Sequence, residues 1–205
     1  MGSSTVSRGS AGATPVFVIT GTSGAGKGTL ERALLERMPE LELAVSATTR
    51  ERRPSEQHGR EYWFLSEDEF DRKVETGELL EWVQLDWGPR SGTLRTEIDR
   101  IRAAGRIPLL DLETEGALHV RDRVRGAVTV FVRAPSFEEN ERRLRERATE
   151  DESEIEKRLA AARAQLAQAD EFDYVIVNDD LDRAVGELEE IVRKELATAG
   201  SMSAP

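Results

Sequence analysis

Residues 20–30 read T-G-T-S-G-A-G-K-G-T-L and follow directly on the apolar run 15–19. Gly21 to Gly26 and then Lys27 is the outline of a phosphate-binding loop. In such a loop, glycines let backbone N–H groups curl round phosphate oxygens. The start of the next helix then aims partial positive charge at them. Lys27 adds a point charge able to follow a transferring phosphoryl group. The flanks fit: 16–20 is short, β-branched and apolar, the pattern of a buried strand. After the loop, L-E-R-A-L-L-E-R-M places Leu30, Ala33, Leu34 and Met38 at helical spacing, and Pro39 stops the run. The residue after the lysine normally carries the hydroxyl that reaches magnesium. Here it is Gly28, with Thr29 one place on. Mg2+ keeps several waters, so it can be held through them or through Thr29.

Outward from the loop, strand-like runs recur at 43–48, 62–65, 79–85, 107–112, 128–133 and 174–177. Helical patterns fill 67–75, 94–104, 136–147, 152–168 and 181–196. The outer parts alternate strand and helix, which predicts an α/β fold with a parallel sheet flanked by helices. The middle carries several strands in quick succession and reads as a β-rich inserted lobe. The expected layout is a core of 15–42, 94–135 and 169–196, a lobe over 43–93 and a helical lid over 136–168. Tails are expected at 1–14 and 197–205.

The chain has 205 residues, enough for one domain with a real core. No apolar run approaches the ~18 residues of a membrane span, and no secretory h-region is visible. Cysteine is absent and the histidines are His58 and His119, which excludes disulfides and thiolate metal sites and disfavours protein-ligated zinc. The cytoplasm is the expected compartment. Net charge is −11, from 29 basic and 40 acidic residues. That argues against nucleic acid or an anionic membrane as partner. It leaves a small phosphate ligand open, because a pocket's field is local.

A second informative region is S-A-T-T-R-E-R-R-P at 46–54, then G-R-E-Y-W-F at 59–64 and L-L-E-W at 79–82. Arg50 and Arg53 follow a strand, and their forked donors suit phosphate. Tyr62 offers a phenolic donor. Glu81 offers paired acceptor oxygens, which can take two N–H donors from one edge of guanine.

With the loop, these strings resemble the guanylate kinase family over about 16–196. V-S-A-T-T-R, E-Y-W-F, E-L-L-E-W, S-G-T, P-S-F-E-E, R-R-L-R-E-R, K-R-L and V-N-D-D-L match in order and spacing. That family often carries G-K-G-T in its phosphate loop, so Gly28 falls within its range. The resemblance implies a P-loop nucleoside monophosphate kinase that moves the γ-phosphoryl group of ATP to GMP, and to dGMP, with Mg2+. Lys27 and the loop residues Ser23, Gly24, Ala25, Gly26, Gly28 and Thr29 would cradle the ATP phosphates. Arg50, Arg53 and Tyr62 would hold the GMP phosphate, with Ser46, Glu81 and Thr93 reading or orienting guanine. Asp111 matches a carboxylate near metal and transferring phosphate, so Asp111 and Thr29 are the protein candidates beside an ion held mainly by phosphates and water. Arg143, Arg147 and Arg158 match lid arginines that close over ATP. Asn178 matches a residue of the adenine-side loop.

Two positions depart from the family. A tyrosine usually precedes the Gly-Thr pair and donates to the GMP phosphate; here Ser91 stands before Gly92. Losing that bond costs about 1.5–3 kcal/mol, and Arg90 or Trp87 is the expected compensation. D-L-E-T-E-G at 111–116 puts Glu113 where the family more often has an aspartate that reads guanine. Two further readings stay open at this stage. One is a kinase of the same fold with another phosphate-monoester acceptor. The other is a non-catalytic binding module, against which the retained Lys27, Arg147 and Arg158 speak.

Overall fold

The computed structural model describes residues 14–84, 88–147 and 152–201. Strand β1 (Val16–Gly21) is buried along its whole length. It lies in the middle of a five-stranded parallel sheet, in the order β2 (Leu41–Leu43), β7 (Ile107–Asp111), β1, β8 (Ala127–Arg133), β9 (Tyr174–Val177). Alternation along β1 feeds two cores. Phe17 and Ile19 meet Leu30, Leu34 and Met38 of α1 (Lys27–Arg37) together with Val185, Leu188 and Val192 of α7 (Leu181–Ser201). Val16 and Val18 face Ile98 and Ile101 of α3 (Arg95–Ala103), and Ala117 and Val120 of α4 (Thr114–Arg123). Each such buried side chain contributes on the order of 1.5–3 kcal/mol, which explains why a parallel sheet with both faces covered reads as continuous apolar runs.

A second sheet of four strands has the order β4 (Trp63–Phe64), β3 (Ser46–Thr48), β6 (Arg90–Leu94), β5 (Leu79–Gln84). One face packs on α2 (Glu67–Glu75) through Ala47, Leu79, Leu94 and Phe70. Helix α2 starts at a capping box, in which Ser66 and Glu69 satisfy each other's backbone N–H groups. The helices α5 (Phe137–Arg147) and α6 (Glu152–Leu166) pair over a small core of Leu144, Ile155 and Leu159.

The run 43–48 was expected as one strand and is instead divided between the two sheets. Leu41–Leu43 pairs with β7, while Ser46–Thr48 pairs with β4 and β6. Between them the Val45 N–H donates to the Glu97 carboxylate at 3.1 Å, a side chain replacing a ladder partner where the chain changes sheet. Strand β6 and helix α4 were not anticipated. Pro89 and Gly92 mask the strand, and Gly116 inside the first turn blurs the helix period. The last helix continues to Ser201, five residues into the expected tail at 197; Thr198 and Ser201 hydroxyls bond back to the Lys194 and Thr198 carbonyls. Residues 1–13 and 202–205 of the expected tails lie outside the described residues. Among the described residues, no helix is long and apolar enough to cross a membrane.

Candidate active site

The carboxyl ends of the parallel strands converge on the glycine loop, as ligand crevices of open α/β sheets do. β1 runs into the loop, and Gly26 caps α1 with φ 87°, a left-handed conformation that a side chain would strain. A Cβ there would also meet Asn178 Nδ2 at 2.6 Å. That amide donates to the Ala25 carbonyl at 2.8 Å, so the residue following β9 braces the loop. At Gly28 the contrast is complete, because beyond its chain neighbours and its own helix backbone no described atom lies within 4 Å of where its Cβ would be. Thr29 is exposed beside it, as is Ser23 on the other side of the loop.

β7 pairs with β1 in a register that sets Asp111 opposite Ile19, just before the loop. Lys27 Nζ consequently lies 3.3 Å from Asp111 Oδ1. Burial opposes the charge on Lys27, but the Asp111, Glu113 and Glu31 carboxylates outweigh it and raise the amine above its ordinary value.

The second sheet supplies the facing wall. Its register aligns Ser46, Thr93 and Glu81 across three strands, with Thr48, Ser91 and Val83 in the next row. A bulge between Leu79 and Glu81 shifts the pairing. Leu79 can therefore face α2 while Glu81, two residues on, faces the cavity, which is the re-aiming that bulges perform. Thr93 Oγ1 donates to Glu81 Oε1 at 2.9 Å. Glu81 is 3% exposed. Burial pushes its carboxyl up to about 7, with the Thr93 hydrogen bonds pulling the other way. A Cβ on Gly116, in the first turn of α4, would meet Glu81 Oε2 at 2.6 Å, so the glycine makes room for the carboxylate.

One cavity of about 260 Å³ joins the two walls, and Lys27, Asp111, Glu113, Ser46, Glu81, Arg50, Tyr62 and Ser91 line it. Arg50 is held above the Tyr62 and Phe64 rings, 5.3 and 5.6 Å from their centroids. It forks onto Glu56 with bonds of 3.1 and 2.8 Å. Glu56 also accepts from the Arg53 N–H at 2.8 Å. The sequence-expected residues are not all gathered here. The Arg53 side chain is exposed and does not line the cavity. Arg143 lies at the loop's edge, donating to the Asn178 carbonyl at 3.1 Å and to Glu139 at 2.7 Å. Arg158 is exposed on α6 and is not among the residues that line the cavity. Arg147 ends α5, and its side chain lies outside the described residues.

Arg90 does not compensate for Ser91. Strand alternation puts the two on opposite faces, and Arg90 is committed to Asp71 and Glu67 of α2 with its guanidinium 4.6 Å from the Phe70 centroid. Ser91 Oγ donates to the Ala47 carbonyl at 3.3 Å. Trp87 lies outside the described residues.

Three contributors escaped the sequence reading. Gly116 is one. Asn140 of α5 is another: it accepts from Thr22 Oγ1 at 2.8 Å and donates to the Ser23 carbonyl at 2.9 Å. The third is Glu31, a carboxylate 5% exposed on the buried face of α1. Its only sequence signal is a charged residue at Lys27 plus one helical turn, next to Leu30.

Residues 13–195 match the sequence model of the family described as Guanylate kinase. The chain belongs to the guanylate kinase family. A guanylate kinase of Rubrobacter xylanophilus is 46% identical over 182 residues, covering 89% of this chain and 95% of its own length. One from Synechococcus sp. strain CC9902 is 49% identical over 172 residues, covering 84% and 91%. The crystal structure of guanylate kinase from Anaplasma phagocytophilum aligns with a TM-score of 0.71 at 28% identity, over 91% of this chain and 88% of that one. A guanylate kinase fold accounts for both sheets.

Proposed function

We propose that this protein transfers the γ-phosphoryl group of ATP to GMP, and to dGMP through the same pocket, yielding ADP and the nucleoside diphosphate. The observation that carries the reading is the cavity itself. It sets a Ser46–Thr93–Glu81 row opposite Lys27 and Asp111. The five-stranded sheet and its helices form the core, the four-stranded sheet the acceptor lobe, and α5 with α6 the lid.

Each group has a task set by its chemistry. Amides of 24–29 and the α1 N-terminus receive the ATP phosphates, and Lys27 neutralises charge on the phosphoryl group in flight. Arg50, Tyr62 and Arg53 hold the GMP phosphate, with Arg53 turning inward from its exposed position. Glu81, fixed by Thr93, accepts from the guanine edge beside Ser46 and Glu113. The attacking group is already an anionic phosphate oxygen, so the chemistry needs in-line placement and charge neutralisation rather than a protein base. Arg143, Arg147 and Arg158 close over ATP, and water must be excluded to prevent wasteful hydrolysis.

The residues present fit Mg2+. This ion typically takes one or two carboxylates plus substrate phosphates and keeps waters. Asp111 sits beside Lys27, Thr29 is exposed at the loop, and open space at Gly28 leaves room for coordinated water. Mg2+ would neutralise charge on the β- and γ-phosphates.

The test is a coupled ADP-release assay with ATP, Mg2+ and each of GMP, dGMP, AMP, CMP and UMP. Turnover confined to guanine nucleotides is expected. No turnover with either GMP or dGMP ends the reading.

A further inference from the structure

A second cavity, of about 390 Å³, shares no lining residue with the first. Val16, Leu80 and Ile98 form its buried apolar floor. Around it stand Arg95 and Arg102 of α3, Arg123 at the end of α4 and Arg125 in the turn before β8. Asp99 is its one acidic lining residue. Residues 95, 99 and 102 share a face of α3 because their spacing matches the helical repeat. The turn before β8 is closed by Gly126 at φ 76°, and the Val16 N–H donates to the Gly126 carbonyl at 3.3 Å. The cavity therefore sits at the amino end of β1. The glycine loop lies at the carboxyl end, about 16 Å further along a strand that rises ~3.3 Å per residue.

Charge at this cavity is not neutralised as it is elsewhere on the same helices. On α3, Arg100 pairs with Glu97 and Glu42; on α4, Arg121 pairs with Asp122. Among the described residues, Arg95, Arg102 and Arg123 form no ion pair, and Asp99 joins none of them. Two of these side chains are tethered to carbonyls instead. Arg95 Nε donates to the Gly77 carbonyl at 2.9 Å, and Arg102 Nη2 to the Thr14 carbonyl at 2.7 Å. Each tether orients a guanidinium while using one of its five N–H donors. Residues 1–13, which lead into Thr14, contain no Asp or Glu, so that segment brings no counter-charge. Gathered cations repel one another, and here they gather in a chain whose net charge is −11.

We propose that this cavity is a second anion site, which takes the diphosphate group of a small molecule. Guanidinium forks meet phosphate oxygens through pairs of parallel hydrogen bonds. A single phosphate group offers three terminal oxygens, fewer than the forks of Arg95, Arg102 and Arg123 can use, and a linked second phosphate supplies the rest. The volume is that of a small-ligand pocket. The acidic surface beyond it repels a long polyanion such as nucleic acid. The site is independent of the proposed kinase activity, since none of its residues belongs to the first cavity.

The probe is inorganic pyrophosphate, titrated by calorimetry into the full chain without Mg2+. The glycine loop is the competing seat for phosphate, so each variant is made both in the wild-type chain and in Lys27→Ala. Binding is expected to persist in Lys27→Ala. Arg102→Gln and Arg123→Gln should each weaken it about tenfold, the loss for one charge-assisted bond. Arg193→Gln, an exposed arginine of α7 outside the cavity, should change it less than about twofold. Binding that vanishes in Lys27→Ala, or that both cavity variants leave within about fivefold, overturns the inference, as does an equal loss in Arg193→Gln. If Arg102→Gln does not fold, Arg95→Gln, exposed at the start of α3, takes its place. UDP is titrated in parallel. A gain over pyrophosphate of about tenfold or more identifies a nucleotide with its ring on the apolar floor, and equal affinity identifies free diphosphate. Binding of neither ends the proposal.

Discussion

The two ends of the cavity are built in different ways. The loop end comes largely from one unbroken piece of chain, 21–31, braced by Asn178 and Asn140, whose main-chain amides are the groups proposed to meet the ATP phosphates. The sheet end is assembled from side chains on β3, β5, β6, the 50–62 segment and the start of α4. Main-chain groups are supplied by any sequence that makes the turn, so the loop tolerates Gly28. A wall of side chains depends on register, and a shift of one residue at the bulge before Glu81 would turn the carboxylate away from the cavity.

The largest effect is expected at Lys27, the loop side chain proposed to meet the transferring phosphoryl group. Lys27→Ala is expected to lower kcat by about 10²–10³-fold, the usual loss when a donor to developing charge is removed. Steady-state turnover with GMP in excess measures it. A loss confined to the ATP KM would show instead that Lys27 only binds.

At the sheet end, Gly116→Ala places a methyl against Glu81 Oε2 without removing any group proposed to meet substrate. Displacing that acceptor should raise the GMP KM about ten- to a hundredfold and leave the ATP KM alone. Equal shifts in both constants would show that the two ends are not independent.

The pH response separates the ends more gently. Burial raises Glu81 to about 7, so near neutrality part of it is protonated. In the proposed pocket guanine takes the ionised form, and a proton competes for the same oxygens. The GMP KM should be flat above about pH 8 and rise by up to about tenfold per unit below pH 7. Glu81→Gln should remove that dependence while the ATP KM keeps its own profile; an unchanged GMP profile in the variant would assign the titration elsewhere.

The smallest effect belongs to Gly28→Ser. Beyond the helix's own backbone and the chain neighbours, no described atom lies within 4 Å of the new Cβ, and serine is the better helix former by about 0.5 kcal/mol. Thermal unfolding should move up by a degree or two and the ATP KM should stay within about threefold. A larger gain in turnover would mean that the missing hydroxyl does matter.

The same difference governs what could be read from sequence. The loop is a contiguous string with flanking strand and helix, so its position and Lys27 were legible, as were Glu81 and Arg50 through their family strings. Contacts made by register were not. Nothing in 43–48 announces that the chain changes sheet at Ala44 and Val45, because the deciding partner, Glu97, is fifty-two residues away. Helix α4 was hidden by Gly116, the residue whose lack of a side chain the site requires. Arg90 shows the converse: adjacency to Ser91 pointed to the cavity, while strand alternation sends it to Phe70, Glu67 and Asp71.

Asn140 carries one more consequence. It is 1% exposed and ties the first half of α5 to Thr22 and Ser23, with Leu144 packed over Gly24 a turn later. The root of this helix is thus masonry of the loop, while α6 rests on it through Leu144, Ile155 and Leu159. The lid closure proposed above would pivot beyond that root. Amide hydrogen exchange should accordingly split the helical pair, with 140–144 as slow as β1 whether or not nucleotide is present, and 155–163 slowing when it binds.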